Sequence, residues 1–207
     1  MSFEPLSFEI DVTRRLGDVQ IGTVFAVDGG LTVLFGPSGI GKTSVLNMIA
    51  GLLRPDWGYV RVSGKTLFDA AAGIDLPPEA RRAGYVFQEA RLFPHKRVRA
   101  NLLYGCHPGA RLGFGDTVEF LGIGHLLERW PRSLSGGEAR RVAIGRALLS
   151  GARFLLLDEP LSSLDRARRE EIMRAILHIR DHVRLPILMV THDPEEAERL
   201  GTRIVRM

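Results

Sequence analysis

The chain has 207 residues, 45% hydrophobic and 25% charged, an ordinary globular composition with enough length for one sizeable core. Its formal charge of +4 comes from arginines scattered along the chain, dense only around Arg166, Arg168 and Arg169. With no platform of basic and aromatic residues, nucleic acid is not expected as a partner. The lone Cys106 cannot close an internal disulfide and sits in no zinc-type spacing, which points to a reducing compartment. Met1 to Val12 carries acidic residues and a proline where a signal peptide needs a basic start and an apolar run. The apolar stretches stop short of the roughly 20 residues that span a bilayer, so a soluble chain is expected, with any membrane role exerted through a partner.

In chain order, Val19 to Phe35 reads as two β-rich runs turning at Asp28-Gly29-Gly30, with Leu31 to Phe35 a buried strand. A glycine-rich loop follows directly, and from Lys42 the pattern is helical, with Val45, Met48 and Ile49 on one face and Gly51 placed to end it. Tyr59–Val62 and Gly84–Phe87 read as strands. Short helices over Val98–Tyr104 and Thr117–Leu121 make residues 90 to 132 a mostly helical insertion. A longer helix over Gly137–Leu149 leads to Phe154–Leu157, an apolar run typical of a strand buried on both faces. Ile172, Ala175, Ile176 and Ile179 mark a further helix before the strand Ile187–Val190. Strand and helix alternate, so a largely parallel sheet is expected, with no repeat or linker that marks a second domain.

Three stretches carry chemistry on their own terms. Gly36-Pro37-Ser38-Gly39-Ile40-Gly41-Lys42-Thr43 satisfies G-x-x-x-x-G-K-[ST] between a strand and a helix. Glycines let the backbone N–H groups wrap a phosphate, the helix N-terminus adds a favourable field, Lys42 reaches the β- and γ-phosphates, and the Thr43 hydroxyl ligates Mg²⁺. Asp158 and Glu159 end an apolar strand, where open α/β sheets bind ligands. Asp158 is the expected Mg²⁺ ligand and Glu159 the group that deprotonates the attacking water. Leu134-Ser135-Gly136-Gly137-Glu138 opens a helix and leaves backbone donors at its positive end.

This ordered set resembles the ATP-binding cassette (ABC) family across essentially the whole chain. The resemblance implies an α/β fold: a P-loop NTPase core with a mostly parallel sheet, an N-terminal antiparallel β-subdomain and an inserted α-helical subdomain. It implies one ABC ATPase domain over residues 1–207, with the helical subdomain at about 90–150. Ser135, Gly136 and Gly137 match the signature stretch that clamps the γ-phosphate of ATP held by another protomer. Gln88 resembles the Q-loop glutamine that senses Mg²⁺ and the attacking water, Ser162-Ser163-Leu164-Asp165 the D-loop, and His192 the switch histidine at the γ-phosphate. The fifth signature residue is often Gln, and here it is Glu138. Many relatives stack adenine on an aromatic residue some twenty positions before the loop. Val12 to Gly22 holds none, which leaves Arg14, Arg15 or Leu16 to cover the ring.

The implied cofactors are ATP and Mg²⁺. The implied partners are an integral membrane permease, a second copy of the chain in an ATP-sandwich homodimer and, indirectly, a substrate-binding protein, at the cytoplasmic face of the cell membrane. Arg91 to Tyr104 is the implied docking surface, although Phe93, Val98 and Leu102 fit a subdomain core equally. Arg81–Gly105 and Arg129–Asp165 look most like the ATPase subunit of molybdate importers. Those subunits usually carry a C-terminal oxyanion-binding domain, and none is expected in this chain. The competing readings are a transporter ATPase for another cargo, a soluble cassette ATPase acting on nucleic acid, a P-loop kinase or GTPase, and a switch without turnover. The short separation of Gln88 and Ser135, the lack of a guanine-reading motif and the presence of Glu159 with His192 weigh against the last three.

Overall fold

The computed structural model describes residues 7–207; Met1–Leu6, half of the segment judged unlike a signal peptide, lie outside the described residues. The chain divides into two compact units, residues 1–83 with 186–207, and residues 84–185.

The first unit holds an antiparallel sheet of strands β1 (Phe8–Leu16), β2 (Val19–Val27), β4 (Trp57–Val62), β5 (Lys65–Asp69) and β6 (Ile74–Asp75), in the order β2-β1-β4-β5-β6. Alternation places Phe8, Ile10 and Val12 of β1 in the core while their neighbours are half-buried, the period expected of a sheet with one wet face. Its parallel sheet runs β10 (Arg203–Arg206), β3 (Leu31–Phe35), β9 (Ile187–Thr191). All five residues of β9 and the first four of β3 are buried, as the nearly continuous apolar runs of covered parallel strands are, with Thr32 and Thr191 the polar members. Helix α1 (Lys42–Ala50) follows β3, and α7 (Pro194–Leu200) follows β9.

Arg81, in the short helix α2 (Pro78–Arg81), is only 1% exposed and caps the C-terminal end of α1. Its guanidinium donates to the carbonyls of Met48 (2.8 Å), Ile49 (3.0 Å) and Leu76 (2.7 Å) and pairs with Asp75 at 2.8 Å. Orphan carbonyls at a helix end are thereby satisfied by a cation, and the helix dipole favours that sign. Gly51 must be glycine here: its φ is +81°, and a Cβ would lie 2.6 Å from the Arg81 Nε.

The second unit contains β7 (Ala83–Val86) beside β8 (Phe154–Asp158), and helices α3 (Val98–Leu103), α4 (Phe114–Phe120), α5 (Gly136–Leu149) and α6 (Arg166–His178), the last continuing as a π-helix over Ile179–Val183. Every residue of β8 is buried. Each such leucine contributes about 1.5–3 kcal/mol relative to exposure. Val98 and Leu102 are fully buried, so the face of α3 that carries them is core; Leu103 and Tyr104 are exposed and Phe93 half-buried. Among the described residues no helix is long and apolar enough to cross a membrane.

Candidate functional site

In the first unit, the loop Gly36–Gly41 leaves the end of β3 and enters α1. The αL conformation at Gly41 (φ +106°) turns the chain into the helix, and a Cβ there would strike the Ile21 side chain at 2.6 Å. Lys42 is 4% exposed, and its Nζ donates to the carbonyls of Gly36 at 2.8 Å and Pro37 at 2.9 Å. The ammonium is thus held inside the loop's own curve, while Pro37, Ser38, Gly39, Ile40 and Thr43 are exposed at its rim. No acidic side chain stands in the first turn of α1, so its positive end is not neutralised from within.

Phe35 pairs in register with Thr191, so the next residues, Gly36 and His192, leave two neighbouring parallel strands at the same edge. Thr191 donates from Oγ1 to Glu196 (2.6 Å) and accepts from the Asp193 N–H (3.1 Å), and Asp193 caps α7 through the N–H groups of Glu195 and Glu196. This fixes the turn on which the exposed His192 sits. Arg14, one candidate to cover a base, is paired with Asp56 at 2.6 Å; the Arg15 Nε donates to the Gly17 carbonyl, and Leu16 is 39% exposed.

In the second unit, Asp158 is 3% exposed at the tip of β8, and the half-buried Glu159 follows with φ +43°. A non-glycine residue in that region is strained, a common mark of functional positions. The Tyr85 hydroxyl bonds Asp158; burial first, and then the negative field of that carboxylate, holds the phenol well above its ordinary pKa. Gln88 is exposed at the end of the segment after β7. It shares a cavity of about 530 Å³ with Gly136, Arg140 and the Ser162-Ser163-Leu164 stretch.

Ser135 is the N-cap of α5 and forms a capping box with Glu138: the Ser135 N–H donates to Oε2 at 2.7 Å, and the Glu138 N–H donates to the Ser135 Oγ at 3.3 Å. Since the hydroxyl oxygen is an acceptor in that bond, its own proton stays available to a phosphate oxygen. The Ser135 amide donation, then Arg129 and Arg141, hold the Glu138 carboxyl below the usual carboxylate range against a desolvation effect of opposite sign. Glu138 in place of the commoner glutamine therefore preserves the helix start. Asp165 caps α6 by accepting from the Arg168 N–H at 3.0 Å, and Gly137 is buried while Gly136 is exposed.

Two residues absent from the sequence reading belong to this picture. Tyr85 could have been suspected only as a polar tip on a buried strand. Arg140 is a helix-interior arginine 5% exposed, whose guanidinium donates to the carbonyls of Phe87 and Gln88. Nothing in a one-dimensional pattern distinguishes it from its neighbour Arg141.

The glycine loop entering a helix, the buried strand ending in two carboxylates and the capped Ser-Gly-Gly helix define an ATP-binding cassette. The model of the ABC transporter family matches residues 25–162, and the chain belongs to that family. It is 54% identical over 200 residues to the molybdenum import ATP-binding protein ModC of Brucella abortus (strain 2308), covering 95% of this chain and 55% of that protein. It is 52% identical over 206 residues to the protein of the same name from Rhizobium meliloti (strain 1021), covering 98% and 58%. The chain thus spans little more than half the length of these curated relatives. Among solved structures it resembles the dimeric ATP-binding cassette MJ0796 in a post-hydrolysis state bound to ADP and Pi, with 26% identity, a TM-score of 0.75 and coverage of 98% of this chain and 94% of that one. It shares its fold with cbiO1 of Clostridium perfringens, part of the ABC transporter complex cbiONQ, at a TM-score of 0.83, 24% identity and coverage of 99% and 85%. The fold is that of an ABC ATPase, α/β with an antiparallel sheet and a parallel one.

Proposed function

We propose that this chain is the ATP-binding and ATP-hydrolysing subunit of an ABC importer that drives molybdate, or a similar oxyanion, through a partner membrane permease. The observation that carries ATP binding is the Gly36–Thr43 loop, with Lys42 drawn to its inner wall and His192 leaving the neighbouring strand. The cargo rests on the likeness to molybdenum import proteins over 95% of the chain.

In this reading the Gly36–Thr43 loop cradles the phosphates with the N–H groups of Gly36, Ser38, Gly39, Ile40, Gly41, Lys42 and Thr43, Pro37 shaping the turn without a donor of its own, and Lys42 exchanges its carbonyl partners for the β- and γ-oxygens. Glu159 takes a proton from the attacking water, a role worth about 10² to 10⁴ in rate. His192 and Gln88 orient the γ-phosphate and that water. The buried Asp158 carboxylate, the exposed Thr43 hydroxyl and the Gln88 amide are hard oxygen donors suited to Mg²⁺, which when bound neutralises developing phosphate charge.

Ser135, Gly136, Gly137 and Asp165 act on the nucleotide of a second copy in an isologous ATP-bound dimer, a reading supported by the dimeric cassette this chain resembles. We further propose one ABC ATPase domain over 1–207 with its helical subdomain at about 90–150. Its place is the cytoplasmic face of the membrane through the permease, with a substrate-binding protein delivering cargo. The test is phosphate release from ATP and Mg²⁺ by the purified chain, followed by uptake into vesicles holding the chain and its permease. ATP-dependent molybdate uptake is expected; absence of any phosphate release overturns the enzymatic reading, and uptake of an unrelated solute alone overturns the cargo.

A further inference from the structure

Four backbone carbonyls around Gln88 face two arginines of one helix. Arg140 donates from its two terminal nitrogens to the Phe87 and Gln88 carbonyls. Arg146 donates to the Arg91 carbonyl at 3.0 Å and the Ala90 carbonyl at 3.3 Å. Both belong to α5, the helix that begins at Ser135.

Burial pushes the pKa of each guanidinium down, opposed at Arg140 by the nearby Asp158 carboxylate. Arg140 is 5% exposed and Arg146 half-buried; a guanidinium withdrawn from water is retained where its donors find acceptors, and here those acceptors are main-chain oxygens of the Gln88 segment. Ring contacts tighten the same segment. Arg91 lies 4.0 Å over the Phe87 ring, Phe87 stacks on Tyr85 at 4.0 Å, and Arg146 lies 5.2 Å over Phe93. Tyr85 in turn bonds Asp158.

We infer that Arg140 and Arg146 are positioning residues that tie the Gln88 loop to helix α5, so that displacement of the Ser135 end of that helix is carried to the Gln88 side chain. The inference rests on the proposed function in one respect, the assignment of Gln88 to the metal and attacking water and of Ser135 to a partner's nucleotide. The tie needs the planar fork of arginine, because each guanidinium spans two successive carbonyls and an ammonium on a lysine stem reaches one.

The test replaces both residues in the whole chain, Arg140→Lys with Arg146→Lys, keeping charge and aliphatic stem while removing the fork. Amide hydrogen exchange over residues 88–92 is expected to rise by about fivefold, the factor one lost hydrogen bond carries. Exchange in α1 should stay at its wild-type level. In ATPase assays the Mg²⁺ concentration for half-maximal rate is expected to rise and kcat to fall, with KM for ATP held, since Lys42 and the glycine loop are untouched. Unchanged exchange over 88–92 overturns the inference, as does a proportional loss of every activity that tracks a lowered melting temperature. Should the double variant fail to fold, Arg146→Lys alone, remote from Asp158, gives the same readouts. A wild-type chain with no ATPase activity defeats the functional reading, yet the exchange measurement still decides whether the tie exists.

Discussion

The Nζ of Lys42 lies 2.8 Å from the carbonyl oxygen of Gly36, so the lysine is folded onto the loop that precedes it. A cation seated against carbonyl dipoles is already desolvated and correctly aimed, and a triphosphate exchanges neutral acceptors for anionic ones. Ligand binding therefore gains a charge-assisted interaction without first stripping water from an exposed ammonium.

Lys42→Ala removes that interaction. Nucleotide affinity, measured by titration with a fluorescent ATP analogue, is expected to fall by about 10- to 100-fold, the range of a charge-assisted hydrogen bond. Stability should also fall, by about 1–3 kcal/mol in denaturant unfolding, because the Gly36 carbonyl it leaves is buried.

Glu159→Gln keeps the size and the bonding reach of the side chain but removes the base. Steady-state phosphate release should drop by about 10² to 10⁴. With ATP and Mg²⁺ the variant should elute from size-exclusion as a dimer, and a persistently monomeric elution counts against the sandwich.

Glu138 gives a pH dependence with a defined sign. Its pKa in the folded chain is below the ordinary 4.5, chiefly through the Ser135 amide. The stabilisation is therefore complete above that ordinary value and is lost as pH falls through the lowered one. Glu138→Gln can keep the capping box but has no charge to lose. The melting-temperature gap between wild type and variant should be widest near neutrality and close on acidification below about pH 4.5.

Gly51→Ala forces a Cβ to within 2.6 Å of the Arg81 Nε at a backbone φ of +81°. A loss of about 1–3 kcal/mol in denaturant unfolding is expected, from the left-handed conformation and the displaced guanidinium together. Nucleotide affinity should weaken with it, since α1 carries Lys42 at its other end.

The strands around the glycine loop and the helix after it were legible because each announces itself locally. Leu31–Phe35 is apolar but for Thr32 up to its glycine, Gly51 stops α1, and Phe154–Asp158 runs into the second acid, Glu159. Strand β1 escaped the reading because Arg14 and Arg15 interrupt its alternation and only its pairing with β2 and β4 makes the pattern meaningful. Strand β10, Arg203–Arg206, is mostly exposed and exists by parallel pairing to β3. The same contrast holds for the site. Gly36–Thr43, Ser135–Gly137, Asp158 and Glu159 could be named from spacing, since phosphate chemistry demands those residue types in that order.

The amino-acid order alone thus determined the family and the candidate residues proposed to carry its chemistry, because a glycine-rich loop and a capped helix are built from neighbours in the chain. Tertiary structure alone decided that Val98 and Leu102 belong to the core. It also decided that Arg81 closes the far end of α1, and that Arg140 and Arg146 grasp the carbonyls around Gln88. A buried guanidinium finds its acceptors tens of residues away in sequence, and no local periodicity encodes where those carbonyls will stand.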